Sequence, residues 1–179
     1  MNINSIELIT KSVNQIDWFK NLGNKIEKQE MRDIKTYTSS FHDRITCKNV
    51  HNWSETKSVL TNQNFSKMWN KKELLFQSNL YKKALKYHKE KELLSSLKDL
   101  NESSMHPLYM AASSAADTFK LLDTSLTKCA AGAASLSCYQ AAIAIAAGCK
   151  SEHPFLAKYR LFSNGRWPLS IIKGYFYIF

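Results

Sequence analysis

Glycine and proline are scarce in this chain: five glycines and three prolines in 179 residues. A fold built from many strands and tight turns needs more of both, which disfavours an all-β class. Arginine is scarce too, at four residues against 21 lysines. Base edges and phosphates are best gripped by the bidentate guanidinium, so this balance weakens a nucleic-acid reading without removing it. Acidic residues number 15, most of them beside lysines on expected helix faces. That pattern suggests no paired carboxylates for acid–base work. The four cysteines, Cys47, Cys129, Cys138 and Cys149, contain no C-x-x-C pair, which argues against a zinc ribbon or a thioredoxin-type site. They read as small buried hydrophobes. A disulfide or a metal remains open, because Cys129 and Cys138 flank AAGAASLS, an expected helix–helix turn across which they would face each other.

Motifs of chemistry are also missing. There is no G-x-S-x-G, no cysteine-protease signature, no G-x-G-x-x-G and no Walker A sequence. The histidines are His42, His51, His88, His106 and His153, without an H-E-x-x-H. His42 and His51, with Asp43 and Cys47 near them, form only a weak metal candidate, and solvated or capping roles suit them better. The expectation is a protein without cofactor or metal, and not an enzyme. The longest weakly polar run, CYQAAIAIAAGC, is shorter than the roughly 20 strongly apolar residues of a membrane span. The N-terminal residues MNINSIELITKS show no basic segment followed by an apolar run and cleavage site, so a cytoplasmic location is expected.

What is present fits one domain over residues 1–179, with 44% hydrophobic and 22% charged residues. The formal net charge is +10, and most of the excess lies in residues 1–100, with 18 basic against 11 acidic residues. A field of that sign favours an acidic partner: an acidic protein face, nucleic acid or anionic lipid.

Periodicity predicts a mainly α protein, a helical bundle of six to eight helices with a short C-terminal β or extended element. Asn4 and Glu7 form a capping box opening a first helix with Ile6, Ile9, Val13 and Ile16 on one face. Ile26, Ile34, Tyr37, Phe41 and Ile45 mark a second helix over about 24–47, followed by a loop over 47–52. Ser54 caps a short helix to Leu60. A long helix is expected over about 65–99, with Trp69, Phe76, Leu80, Tyr87 and Leu94 in a narrow inward arc, widened by Leu74, Tyr81 and Leu85. Pro107 suits the first turn of the next helix. Gly132 reads as a helix end and Ser135 as a restart. His153-Pro154 opens a short helix to Phe162, and Ser163-Asn164-Gly165 is a turn. The β-branched and aromatic SIIKGYFYIF reads as a strand, with the segment around 155–162 as its nearest partner.

Two surface candidates follow. Lys67, Lys71, Lys82, Lys86 and Lys89 fall opposite the apolar arc of the long helix, as a solvated face or an electrostatic docking surface. Arg166 and Trp167, in the turn NGRWPL, form a binding hot spot if exposed; otherwise Trp167 anchors the tail to the core.

The end of the chain, SEHPFLAKYRLF and NGRWPLSIIKGYFYIF with the alanine-rich block before it, resembles bacterial immunity proteins of polymorphic toxin systems, including contact-dependent growth inhibition. The resemblance covers about the last 70 residues. It implies a cytoplasmic, non-enzymatic protein that binds a cognate toxin domain and blocks it. Immunity proteins against nucleases are often acidic, whereas this chain is basic, so an acidic toxin surface is expected. Nucleic-acid binding is the first alternative, and an enzyme or effector with an unrecognised site the second.

Overall fold

The computed structural model describes residues 4–41, 45–61, 71–120 and 123–179. Among them are seven α-helices and a three-stranded sheet: α1 (Asn4–Ser12), α2 (Lys28–Ser39), β1 (Thr46–Asn49), α3 (Trp53–Thr61), α4 (Lys71–Ala84), α5 (Glu90–Thr118), α6 (Thr124–Ala146), α7 (Pro154–Ser163), β2 (Pro168–Ile172) and β3 (Tyr175–Ile178). The mainly α fold with a small C-terminal β element is as the sequence predicts.

α5 and α6 form the centre. α6 is rich in Ala and Ser and is buried on nearly every side, with Ala130, Ala134, Cys138, Ala141, Ala142 and Ala144 in the core. Small side chains let the neighbouring helices approach closely, and burial all round removes the need for a polar face. α6 is the one described helix long and apolar enough to cross a bilayer, and 72% of its most apolar window is buried inside the protein. Asp123 caps it, its carboxylate accepting from the backbone N–H of Ser125 at 3.0 Å and of Leu126 at 3.4 Å.

Several expected boundaries move. α6 runs through Gly132 and Ser135 without a break. Cys129 and Cys138 therefore sit on one helix, about 13 Å apart along its axis at 1.5 Å per residue. A disulfide needs Cα atoms within about 7 Å, and all four cysteines are free thiols. Pro107 lies inside α5 rather than at its start. The helix expected over 65–99 breaks at 85–89 into α4 and α5, and Trp69 lies outside the described residues. Residues 46–49, expected as a helix end and loop, are a strand.

The sheet order is β1-β3-β2. β2 and β3 form a hairpin whose two-residue turn, Lys173-Gly174, has φ of 48° and 80°. Two positive φ angles are what a tight hairpin turn matched to strand twist requires, and Gly174 meets that demand without steric cost. β1 pairs parallel to β3, Thr46 opposite Tyr175 and Asn49 opposite Ile178. The strand partner of the tail is thus β1, and the 155–162 segment is helical, as its own pattern predicts. Beneath the sheet, Trp53, Trp167, Phe119 and Phe179 pack ring against ring, with Trp53–Trp167 centroids 5.6 Å apart and Phe119–Phe179 centroids 5.2 Å apart.

Three buried acids tie the front of the chain to its end. Glu30 and Asp33 on α2 pair with Arg166 and Arg160, and Glu73 on α4 pairs with Lys158. α2 is set up for this by a Glu27–Glu30 capping box, in which Glu30 accepts from the Glu27 backbone N–H at 2.8 Å while also holding Arg166.

Candidate interaction surface

The residues nominated by sequence divide into those at the surface and those inside. Arg166 and Trp167 are inside, 2% and 1% exposed, which corrects the idea of an exposed hot-spot pair. All five guanidinium N–H groups of Arg166 are used. Nε and Nη2 donate to the two Glu30 oxygens at 2.8 and 2.9 Å. Nη1 donates to the carbonyls of Asn21 at 2.6 Å and Asn24 at 2.7 Å, and Nη2 also to that of Lys25 at 2.6 Å. Arg166 thus clamps the 21–25 loop. Trp167 exchanges backbone hydrogen bonds with Phe179 at 2.6 and 2.9 Å and anchors the chain end to the core.

Lys71, Lys82, Lys86 and Lys89 are exposed; Lys67 lies outside the described residues. They no longer form one helical stripe. Lys71 stands at the start of α4, roughly 16 Å of helix from Lys82. Lys82, Lys86 and Lys89 gather at the corner where α4 turns into α5, together with exposed Lys83 and Lys91. The corner is built locally. Tyr87 and His88 donate their backbone N–H groups to the Ala84 carbonyl at 2.9 and 3.1 Å. The His88 ring Nε2 lies 3.1 Å from the Ala146 carbonyl at the end of α6. Lys82 and Lys83 lie in the last turn of α4, where the helix dipole favours positive charge, whereas Lys89 is the N-cap of α5 and Lys91 lies in its first turn, where the dipole opposes it. Tyr87, expected on the core side, is 56% exposed at the middle of the cluster. Sequence reasoning missed it because the break at 85–89 rotates everything after Ala84 away from the α4 phase. Lys89 meets one carboxylate, Glu92 at 3.5 Å, as an exposed pair.

A second basic patch lies on the outer face of the sheet. The Lys48 ammonium sits 3.7 Å above the Tyr175 ring centroid and 5.6 Å from that of Tyr177. A trough of about 820 Å³ opens beside it, walled by Val59 of α3 and by Ile172, Lys173 and Tyr177. Glu55 in its wall is turned to its own helix start, accepting from the His51 backbone N–H at 3.1 Å and the Asn52 side chain at 2.5 Å. No sequence motif marks this patch, because register across β1 and β3 creates it.

The polar groups with unusual environments are enclosed. Lys158 donates to Glu73 at 2.7 Å and to the Gln140 side chain at 3.0 Å, and Tyr37 donates to the other Glu73 oxygen at 2.9 Å. Burial pushes the Lys158 ammonium below its ordinary pKa and the Tyr37 phenol above its own. The space beside them, against Ser170, is about 10 Å³, room for at most one water and not for a substrate. Burial likewise pushes the Cys138 thiol up to about 12 and Cys47 up to about 11, which keeps them from acting as thiolate nucleophiles. Among the described residues no group of three or more His, Cys, Asp or Glu side chains is placed to hold a metal. His42 lies outside them, and the His51 ring faces the Gly23 carbonyl at 3.3 Å.

No protein-family model, curated protein or solved structure matches this chain.

Proposed function

We propose that this protein is a stoichiometric inhibitor that binds a cognate bacterial toxin domain through an acidic face of that domain and neutralises it in the cytoplasm. The observation that carries the reading is where the charge sits. Each of the three buried acids is matched by one base at the end of the chain, so the formal charge of +10 is left to the surface. At the α4–α5 corner that charge surrounds an exposed aromatic ring. Aromatic anchors ringed by charge supply affinity and fast encounter in the same patch. The immunity-protein texture of the last 70 residues agrees with a binding role, although Arg166 and Trp167 serve the frame.

Nucleic acid would use the same charge. Two of the four arginines, Arg160 and Arg166, are committed to Asp33 and Glu30, and the exposed excess is lysine. The test is co-expression with the product of the adjacent upstream gene, followed by purification of a one-to-one complex and a growth-rescue assay. No complex and no rescue rejects inhibition. A steep fall in oligonucleotide affinity with salt in the same preparation would support the nucleic-acid reading instead.

A further inference from the structure

β1 lies at one edge of the sheet and is paired on one side only. The backbone N–H groups of Thr46 and Val50 donate to the carbonyls of Gly174 and Ile178 at 2.9 and 2.8 Å. In a parallel ladder alternate residues bond to the same neighbour. Cys47 and Asn49 therefore point their N–H and C=O groups away from β3, and no backbone group among the described residues meets them there. The other edge of the sheet is blunted: β2 opens on Pro168 and its register is irregular between Pro168 and Ser170. β1 has neither a proline nor a register shift. Its one charged side chain, Lys48, lies over the Tyr175 ring of β3, on the paired side of the strand and not on the free one.

A groove of about 360 Å³ runs beside this free edge, with Met31, Ile34 and Thr38 of α2 on one side and Ile45 and Cys47 on the other. Cys47 faces the inner side of the sheet: its register partner is Phe176, whose ring lies 6.0 Å from that of Tyr37 on α2. A strand added beside β1 would turn every second side chain into the groove. Met31, 45% exposed, is an apolar side chain that such a residue would cover. On β1 and residues 21–39 the exposed charges are Lys25, Lys28, Arg32, Lys35 and Lys48 against one carboxylate, Glu27. Glu27 is occupied as the helix cap, accepting from the Glu30 backbone N–H. The other two acids of that stretch, Glu30 and Asp33, are buried against Arg166 and Arg160. Glu55, past the end of β1, is held by the His51 backbone N–H and the Asn52 side chain.

We propose that the free edge of β1 takes an extended, acidic segment of the partner protein as an added strand, its apolar side chains in the groove and its carboxylates towards Lys28, Arg32 and Lys35. Two independent features name that occupant. Unpaired N–H and C=O groups at every second residue match an extended backbone; a helix spends its own backbone groups internally, and nucleic acid has no such row to offer. The balance of all the charges bordering the groove then selects acidic residues. A second copy pairing β1 to β1 would bring both sets of bases together, each chain at +10. The proposal rests on the protein-binding function above and adds a main-chain contact to it.

The test uses the full chain, its Cys47→Pro variant and four fluorescent ten-residue peptides. One peptide alternates Val and Glu; one alternates Val and Lys; two repeat the first with backbone N-methyl groups on two Val or on two Glu. Amide exchange in the free chain should be fast at Cys47 and Asn49 and slow at Lys48. Slow exchange at Cys47 and Asn49 would mean that the edge is already covered, which overturns the proposal. So does protection that rises with chain concentration alongside dimers in sedimentation, which would assign the edge to a second copy. The Val-Glu peptide should bind at least tenfold more tightly than the Val-Lys peptide and slow exchange at Cys47 and Asn49. One methylated peptide should bind at least tenfold more weakly and the other nearly as well as the unmethylated one, because only one set of its N–H groups faces β1. Cys47→Pro removes a donor that the fold leaves unused, so it should melt close to the parent and bind the Val-Glu peptide at least tenfold more weakly. Should it unfold, the methylated pair and the exchange rates decide alone. No binding, equal binding of the Val-Lys peptide, or equal effects of the two methylations overturns the proposal. Failure of the toxin reading shows separately: an edge that takes the Val-Glu peptide while the upstream product neither binds nor is neutralised rejects only the function. An upstream product that forms its complex with exchange at Cys47 and Asn49 unchanged rejects only the edge.

Discussion

Glu73 shows how a single side chain can hold several elements at once. From α4 it accepts hydrogen bonds from Lys158 of α7, Tyr37 of α2 and Gln140 of α6, the last at 3.1 Å. Taking away one member of such a set leaves the other charge buried without a partner, which typically costs about 3–5 kcal/mol. Glu73→Ala is therefore expected to lose that much in urea unfolding, while the double variant Glu73→Leu with Lys158→Met loses clearly less than the sum of the two singles. A double-mutant cycle measures the difference, and additive losses would contradict the coupling. His153 is a second residue with a measurable consequence. Its Nδ1 accepts from the Phe155 backbone N–H at 3.2 Å and so caps α7, and its ring stacks on Phe76 with centroids 5.4 Å apart. Both features suit the neutral ring. Burial, aided by the charge of Lys83, pulls its pKa down to about 4 from 6.5. The folded value lies below the unfolded one, so the stabilisation is complete above pH 6.5 and is lost as pH falls through 4. The ring is partly exposed, so the loss is expected to be at most about 3 kcal/mol. His153→Asn keeps a capping acceptor without the titration and should flatten that part of the stability–pH curve. Neither role is marked in the sequence beyond the Pro154 that follows His153, because Glu73, Tyr37, Gln140 and Lys158 are scattered over more than 120 positions.

At the scale of elements, the helices legible in sequence are those with their own periodic face. Ile6 and Ile9 mark α1, with Val13 just beyond its end, and Phe155, Leu161 and Phe162 mark α7, all buried. The misplaced boundaries come from local signals that tertiary packing overrides. Pro107 and Gly132 look like punctuation, yet Leu93, Leu97, Leu100, Ser104, Leu108 and Ala112 form one continuous buried line through α5, and burial of that line outweighs the proline penalty. The reverse occurs at 85–89, where ALKYHKEK contains no glycine or proline and the chain still turns, held by His88 against the end of α6. β1 is invisible locally because its pairing residues are some 130 positions away on β3. The docking candidates were read in part for the same reasons: Lys82, Lys86 and Lys89 are exposed as expected, whereas Tyr87 and Leu94 were assigned inward by continuing a helix phase that ends at Ala84. A proline in the interior of α5 also removes the N–H that would bond the Ser103 carbonyl four residues earlier. Pro107→Ala restores that donor at an incompletely buried site. It is expected to stabilise the protein by about 1–3 kcal/mol, read as a rise in melting temperature, and a fall would mean that the ring's packing matters more than the missing bond.

Across the whole molecule the distribution of charge separates two tasks. Inside, Arg160, Arg166 and Lys158 meet Asp33, Glu30 and Glu73, closing α7 and the segment after it onto α2 and α4. Outside, lysine dominates, and Lys82, Lys83, Lys86, Lys89 and Lys91 share one corner. Exposed charges at a rim act mainly on the rate of encounter, while apolar anchors act on the rate of separation. The same division should appear in binding to the proposed acidic toxin domain. Raising salt from about 50 to 300 mM shortens the screening length by a factor of about 2.4, to below the size of the patch, so the association rate should fall by roughly tenfold with little change in dissociation. Reversing two corner charges together, Lys82→Glu with Lys86→Glu, should lower the association rate at low salt by a similar factor and remove most of its salt dependence. Both side chains are exposed, so the cost to folding should be limited to the unfavourable helix-end charge, at most about 2 kcal/mol for the pair. Stopped-flow binding of the two proteins at several salt concentrations decides the matter. Association that is insensitive to salt and to both substitutions would mean that the corner does not face the partner, and that the charge at the sheet face around Lys48 and Lys173 is the one to reverse next.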